Sequence, residues 1–251
     1  MPFDTTNDEK IDANHMLAEK KIAVIIPALN EEKTLPLVLN KISKELVDEV
    51  VVVDNGSSDK TSEVAKEWGA TVLFESRRGY GYPCLKGIEY LKRTNPDIVV
   101  FVDGNYSDHP DEIIKLLSPM VEEGYDLVLG SRVMGKVEKG ALRLPVRFGN
   151  RLATILISVL YGFKYTDLGP FRAVTFQRLL ELNMNDNLGW TIEMQVKAIR
   201  RKFRITEVPV SYRAGTGQSK FTGDIRGIAI VGYRILRAIF KNLFYSPGRW
   251  D

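Results

Sequence analysis

Residues 21–54, KIAVIIPALNEEKTLPLVLNKISKELVDEVVVVD, place two short apolar runs on either side of a stretch with helical spacing. KIAVIIP (21–27) and EVVVVD (49–54) are rich in β-branched residues and continuous rather than alternating, the pattern of strands covered on both faces. A helical crossover between two such strands makes them parallel neighbours. The unit repeats through ATVLFE (70–75), DIVVFVD (97–103) and YDLVLGS (125–131), with helices expected over 31–46, 58–69, 80–93 and 110–124. Ser57 or Ser58 is the expected N-cap of the second of these helices and Gly69 its stop. The fold class is therefore α/β, with a mostly parallel central sheet and flanking helices.

Beyond residue 131 the alternation ends. A helix is expected over 143–162, with Leu152, Ile155, Leu156, Val159 and Leu160 as its apolar residues, and a mixed region follows. The last segment, from about Thr222 to Tyr245, is amphipathic and basic, with Arg226, Arg234, Arg237 and Lys241 among its apolar positions. Charge interrupts it too often for a bilayer span. Two roles stay open for it, docking on the domain or lying on an anionic membrane surface. The expected organisation is a disordered tail over 1–20, a catalytic domain over 21–221 and a C-terminal amphipathic helix over 222–251.

Composition narrows the chemistry. Of 251 residues 44% are hydrophobic, enough for a substantial core, and the polar opening stretch lacks the apolar run of a signal peptide, so a cytoplasmic protein is expected. Cys84 is the single cysteine and His15 and His109 are the only histidines, which excludes an intrachain disulfide and disfavours a Cys/His zinc site. The net charge is +3, and between residues 132 and 151 Arg132, Lys136, Lys139, Arg143, Arg147 and Arg151 face the single acid Glu138. Such a patch calls for an anionic partner. No helix-turn-helix or RNA-binding signature accompanies it, so nucleic acid is not the expected one.

In parallel sheets ligands gather beyond the carboxyl ends of the strands. The segments that follow the strands here are ALNEE, NGSSDK, SRRGYG, GNYSDH and RVMGK, polar and glycine-rich throughout. Pro27 closes the first strand and Asn30, Glu31 and Glu32 open the next turn, while Asp54 stands at the tip of the second, where an acid accepts hydrogen bonds from a ribose or a base. Asp103, Asn105 and Asp108 supply oxygen at the tip of the fourth, the ligand type of Mg²⁺ or Mn²⁺ shared with nucleotide phosphates. The competing reading makes Asp103 and Asn105 turn formers. Neither the dinucleotide glycine fingerprint nor a Walker lysine motif is present.

Together PALNEE (27–32), VVDNGSSD (52–59), the acid motif (103–108), GSR (130–132), DLGPFRA (167–173) and RAGTGQSK (213–220) resemble the family 2 glycosyltransferases, specifically the dolichyl-phosphate mannose synthase branch, over roughly residues 21–235. The resemblance implies a GT-A fold, a UDP- or GDP-linked sugar donor, a divalent ion, inversion at the anomeric carbon and a polyprenyl phosphate acceptor met at the inner face of the membrane. It assigns Pro27, Ala28, Leu29, Asn30, Glu31, Asp54, Asn55, Ser57, Arg78 and Gly104 to the donor, and Asp103, Asn105 and Asp108 to the metal. Arg132, Arg143, Arg147, Arg213, Ser219 and Lys220 fall to the phosphates, with Asp103, Arg132 and Asp167 as the catalytic set. Asp167 ranks above Glu193 as the acid that orients the acceptor or serves as base. Asn105 departs from the family, which has an aspartate there, and Arg78-Gly79-Tyr80-Gly81 replaces its glycine-lysine-glycine loop. Two alternatives remain: a small soluble acidic acceptor such as a phosphorylated glycerate, and a nucleotide-binding regulatory domain without turnover.

Overall fold

The computed structural model describes residues 16–142, 144–185, 189–214 and 225–244. Its centre is a seven-stranded sheet built from β1 (Ile22–Ala28), β2 (Glu49–Asp54), β3 (Thr71–Phe74), β4 (Ile98–Phe101), β5 (Leu127–Ser131), β6 (Arg172–Thr175) and β7 (Ile205–Pro209) in the order β3-β2-β1-β4-β6-β5-β7. β1, β2, β3 and β4 run parallel, as do β5 and β7, whereas β6 lies antiparallel between β4 and β5. Only β6 departs from the expected parallel series. It comes from FRAVTF, in the region where the βαβ pattern had stopped.

Helices α1 (Leu35–Leu39), α2 (Thr61–Trp68), α3 (Gly81–Leu91), α4 (Ile113–Glu122), α5 (Leu144–Tyr161), α6 (Phe176–Glu181), α7 (Trp190–Arg200) and α8 (Ile225–Lys241) cover both faces. Strand periodicity divides the core. Ala23, Ile25, Val51, Val53, Val99 and Phe101 face one cluster with residues of α3, α5, α6, α7 and α8. Their strand neighbours Val24, Ile26, Val52, Val100 and Val102 face the other, with residues of α1, α2 and α4. Double-sided burial explains why these strands read as unbroken apolar runs.

Three expectations are corrected. The helix over 31–46 contracts to α1, with Pro36 in its first turn and only turns beyond Asn40, where the Ser43 hydroxyl accepts from the Glu45 N–H at 3.3 Å. A serine that bonds its neighbouring backbone favours a turn over helix. The N-cap of α2 is Lys60, with no side-chain bond, because Ser57 and Ser58 are engaged with Asn30 instead; Gly69 does end that helix at φ 99°. The supposed tail over 1–20 is shortened at its inner end, since Leu17 is buried in the core; residues 1–15 lie outside the described residues. The C-terminal helix packs on the domain, one of the two roles open to it, with Ala238 and Ile239 of α8 in the first core cluster.

One glycine fixes the loop that leaves β5 over the end of β7. A Cβ at Gly135 would stand 1.9 Å from the carbonyl oxygen of Val210, a backbone atom with no room to give. Gly135→Ala is expected to lower the thermal midpoint by roughly 3–10 °C, the range for about 1–3 kcal/mol of overpacking in a chain of this size. An unchanged midpoint would mean that the loop does not rest on β7.

Candidate active site

The carboxyl ends of β1 and β2 build one half of the site. After Ala28 the chain turns at Asn30, which adopts φ 56°, and its N–H donates to the Ser57 hydroxyl at 2.9 Å. The Asn30 side-chain oxygen accepts from the Ser58 N–H at 2.8 Å, and the Glu31 N–H donates to Thr61 Oγ1 at 2.8 Å. Two loops far apart in sequence are thereby laced into one rim. Asp54, buried at the tip of β2, accepts from the Ser57 N–H at 2.7 Å and from the Ser62 hydroxyl at 2.5 Å. Asn55 reaches the third loop. Its amide donates to the carbonyls of Glu75 (2.9 Å) and Arg77 (2.7 Å), and its oxygen accepts from the Gly79 N–H (3.1 Å). Arg78 folds back, donating from Nη1 to the Asn55 carbonyl at 2.9 Å, over Gly56 at φ 78°. In the same loop Arg77 grips Glu75 through two bonds of 2.9 Å and holds its carboxyl down at about 2.

Gly104 closes this half against the acid motif. A side chain there would meet the Pro27 carbonyl at 3.4 Å and Glu31 Cγ at 3.6 Å, so the turn after β4 lies directly on the end of β1. Pro27, Ala28, Asn30, Glu31, Asp54, Asn55, Ser57, Arg78 and Gly104 are thereby joined along one rim, with Leu29 in the turn between Ala28 and Asn30.

The acid motif carries two crowded carboxylates. Asp103 accepts from the Tyr80 hydroxyl at 2.8 Å, and Asp108 Oδ2 lies 3.3 Å from the Asp103 N–H that donates to it. Burial pushes the Asp103 carboxyl up, offset by the Tyr80 bond and by the charges of Arg132 and Arg172. Burial, then the neighbouring Asp103, raises Asp108 to about 7. Asn105 turns its oxygen to the Ser107 N–H at 2.9 Å, the local bond of a turn former.

Among the described residues no three His, Cys, Asp or Glu side chains converge as a metal cage. Mg²⁺ and Mn²⁺ at nucleotide sites do not need one, since one or two carboxylates suffice alongside phosphate oxygens and water. Asp103 and Asp108 fit that requirement: both are oxygen donors, and their mutual charge is what a cation would relieve. A pH dependence follows. Because the folded chain keeps a proton on Asp108 that the unfolded chain releases above 3.8, stability of the cation-free protein falls as the pH rises from there to about 7. Mn²⁺ competes with that proton, so it is expected to raise the thermal midpoint by several degrees at about pH 8 and hardly at all at about pH 5. Equal shifts at both would remove Asp108 from the cation site.

The other half of the site descends from β5 and the loop before β6. Arg132 donates to Asp167 Oδ2 from its backbone N–H at 2.8 Å and from Nε at 2.7 Å, and to Oδ1 from Nη2 at 2.7 Å. Asp167 is 2% exposed and its Oδ1 also accepts from the Leu168 N–H at 2.8 Å. Gly169 makes room for the pair, since a Cβ there would stand 3.1 Å from Arg132 Nε. The guanidinium lies 4.9 Å above the Tyr212 ring, and Tyr212 is bridged to Asp108 through the backbone, which draws the pair beside the acid motif. Arg213 stacks 3.8 Å above Tyr106 and donates from Nε to His109 Nε2 at 3.2 Å. Arg147 stands exposed on α5, while Arg143, Ser219 and Lys220 lie outside the described residues.

Both acids expected to orient the acceptor or serve as base are engaged within the fold. Asp167 is saturated by Arg132 and the backbone. Glu193 is fully buried, 2.8 Å from Lys197, and faces the Asn185 N–H. Trp190 is a core residue, 3% exposed and edge-on to Phe101 at 5.9 Å between centroids.

Several residues that shape the site were not singled out from the sequence. Arg172 of β6 is fully buried, donates to the Thr191 and Gly169 carbonyls, and leaves Nε without a partner among the described residues. Burial pushes its guanidinium down to about 10. An arginine inside an otherwise apolar strand run was the visible signal. Glu207 accepts from the Thr166 (2.7 Å) and Asp167 (3.1 Å) N–H groups and so holds the loop from the β7 side.

A sequence model described as glycosyl transferase family 2 matches residues 23–182. The chain belongs to that family. As a family 2 glycosyltransferase it is 34% identical over 225 residues to an uncharacterised glycosyltransferase of Mycobacterium tuberculosis, covering 86% of this chain and 98% of that one. It is 32% identical over 216 residues to a dolichyl-phosphate hexose transferase of Haloferax volcanii, covering 83% of this chain and 90% of the relative. Among solved structures, glucosyl-3-phosphoglycerate synthase of Mycobacterium tuberculosis with Mn²⁺, UDP and glucosyl-3-phosphoglycerate superposes with a TM-score of 0.73 over 94% of this chain and 84% of that one, at 24% identity. At that identity the likeness speaks to the fold, which is GT-A.

Proposed function

We propose that this glycosyltransferase moves a hexose from a nucleoside diphosphate sugar to a polyprenyl phosphate, with inversion at the anomeric carbon. The observation that carries the reading is the saturation of Asp167 by Arg132, together with that of Glu193 by Lys197. An alcohol acceptor needs a base within hydrogen-bond reach of its proton. A phosphate monoester arrives ionised and needs only to be held in line. One of its oxygens attacks C1 of the sugar, the bond from C1 to the diphosphate oxygen breaks, and the nucleoside diphosphate leaves with the electron pair. No proton has to be taken from the nucleophile.

The chain's own residues then have defined tasks. Asp54, Asn30 and Glu31 line the rim that receives the nucleoside, and Asn55 fixes the third loop beside it. Asp103 and Asp108 would hold a divalent cation, which when bound neutralises the departing diphosphate. Arg132, oriented by its two side-chain bonds to Asp167, offers its remaining N–H groups to a phosphate, the geometry at which arginine surpasses lysine. The Haloferax relative named for dolichyl phosphate supports this acceptor class. The phosphorylated-glycerate reading uses the same cations but attacks through a hydroxyl, for which neither of the acids expected as base is available.

The deciding experiment incubates the protein and Mn²⁺ with UDP- or GDP-sugars labelled in the sugar, offering polyprenyl phosphate and 3-phosphoglycerate in parallel. Label is expected in the organic phase with the lipid phosphate. Label appearing only in the soluble acceptor would overturn the lipid assignment, and an intact donor under every condition would leave a nucleotide-binding domain without turnover.

A further inference from the structure

Helix α5 turns a continuous apolar stripe to solvent. Leu144, Phe148, Leu152, Ile155 and Val159 recur at intervals of three and four residues and are 78%, 71%, 44%, 51% and 76% exposed. Its inward side is a different set, Ala153, Thr154 and Ile157. Ile157, with Leu156, Leu160 and Tyr161 packed against the same cluster, already supplies the core side, so five further large apolar residues left in solvent call for a partner. Packed beside it, α8 repeats the arrangement: Ala238 and Ile239 are buried while Tyr233, Leu236 and Phe240 are 66%, 39% and 49% exposed. The Tyr161 hydroxyl of α5 donates to the Ile239 carbonyl of α8 at 2.5 Å, tying the two helices together.

The chain segments that carry these stripes have charge of one sign. Between Glu138 and Asp167 the chain carries Lys139, Arg143, Arg147, Arg151 and Lys164 and no acid; between Asp224 and Asp251 it carries Arg226, Arg234, Arg237, Lys241 and Arg249 and again no acid. Arg147 and Arg151 are exposed. A second copy seated on this face would bring like charges together, which opposes association. An anionic lipid surface satisfies both components at once, taking the apolar stripe among its acyl chains and the arginines among its headgroups. Among the described residues no helix is long and apolar enough to cross a membrane, so these helices would lie in the interface.

We infer that α5 and α8 form a single docking face for an anionic bilayer, with α5 as its principal element. The face is also mechanically joined to the site. Asn150 of α5 donates to the Thr166 carbonyl at 3.2 Å and accepts from the Leu168 N–H at 3.0 Å, clasping the loop that carries Asp167 and hence Arg132. That a headgroup phosphate is delivered to Arg132 in this way rests on the lipid-acceptor reading; the docking itself does not.

The test is flotation of the full chain with phosphatidylcholine vesicles, with and without phosphatidylglycerol, in the absence of donor and acceptor. The protein is expected to float with the anionic vesicles alone and to be released at about 1 M salt, where the Debye length shrinks to about 3 Å. Phe148→Glu combined with Val159→Glu is expected to lower partitioning by at least about a hundredfold, because two apolar groups are lost from the interface and two like charges are added. Both positions are exposed, so the thermal midpoint and transfer to a short-chain, water-soluble polyprenyl phosphate stay at wild-type levels. A wild-type chain that stays at the bottom with both vesicle types, or a variant that floats like wild type, overturns the inference. So does a wild-type dimer that the variant dissociates, which would make the face a contact between copies. Flotation without lipid-phosphate transfer would instead sink the acceptor reading and leave the docking face standing.

Discussion

Asp103→Asn is expected to cut transfer from a nucleotide sugar by about 10³-fold or more, equivalent to about 4 kcal/mol of transition-state stabilisation, while the cation-free protein becomes more stable above neutral pH. The two effects have opposite signs for one reason. Asp103 and Asp108 are pressed together in a buried corner, Asp108 accepting from the Asp103 N–H at 3.3 Å, and each raises the charge cost of the other. Deleting one charge removes that repulsion, so Asp108 returns toward its ordinary range and the loss of stability with rising pH becomes shallower. The same change takes away one of the two carboxylate charges offered to a divalent cation. Thermal melts over a pH series with and without Mn²⁺ separate the two effects, and turnover measured on the same samples completes the test. Near-normal turnover would detach the acid motif from the chemistry. Lower stability at high pH would show that the two carboxylates do not oppose each other.

Much of this corner was legible in the sequence because it is local. The strand tips after β1, β2 and β4 follow continuous apolar runs, and parallel pairing places such tips side by side. What could not be read was the commitment of each side chain. Asp167 and Arg132 are 35 residues apart, and nothing in either motif says that the acid is bound by the arginine. Asn105 and Ser57 were weighed as a metal ligand and a helix cap, and nothing in their motifs announces that their oxygens accept from the Ser107 and Asn30 N–H groups. Antiparallel β6 was hidden because four residues of strand carry too little periodicity to reveal direction. The stripe on α5 was hidden differently. Leu152, Ile155 and Val159 are apolar at helical spacing, which predicts a core face, and only the packed structure shows that Ala153 and Ile157 took that place.

The pairing of Arg132 with Asp167 yields a prediction in which stability and activity part company. Arg132→Ala strips the Asp167 carboxylate, 2% exposed, of its directly bonded counter-charge and leaves it two backbone donors and the field of Arg172. An orphaned buried charge of this kind costs about 3–5 kcal/mol, so the single variant is expected to melt well below wild type and to lose transfer as well. That result alone cannot distinguish a scaffold from a phosphate ligand. The double variant Arg132→Met with Asp167→Leu can, because replacing a buried pair by apolar groups of similar volume is often neutral or stabilising. Its melting temperature is expected to return to near the wild-type value, with transfer remaining down by about 10²–10³-fold for want of the guanidinium. Arg132→Lys should fall between, keeping the charge but forfeiting the fork that Asp167 orients, with a higher KM for the phosphate acceptor than for the donor. Recovery of transfer in the double variant would reduce the pair to a structural clamp between β5 and the loop before β6. The phosphate would then have to be held by the exposed cations on α5 or by Arg213 above Tyr106.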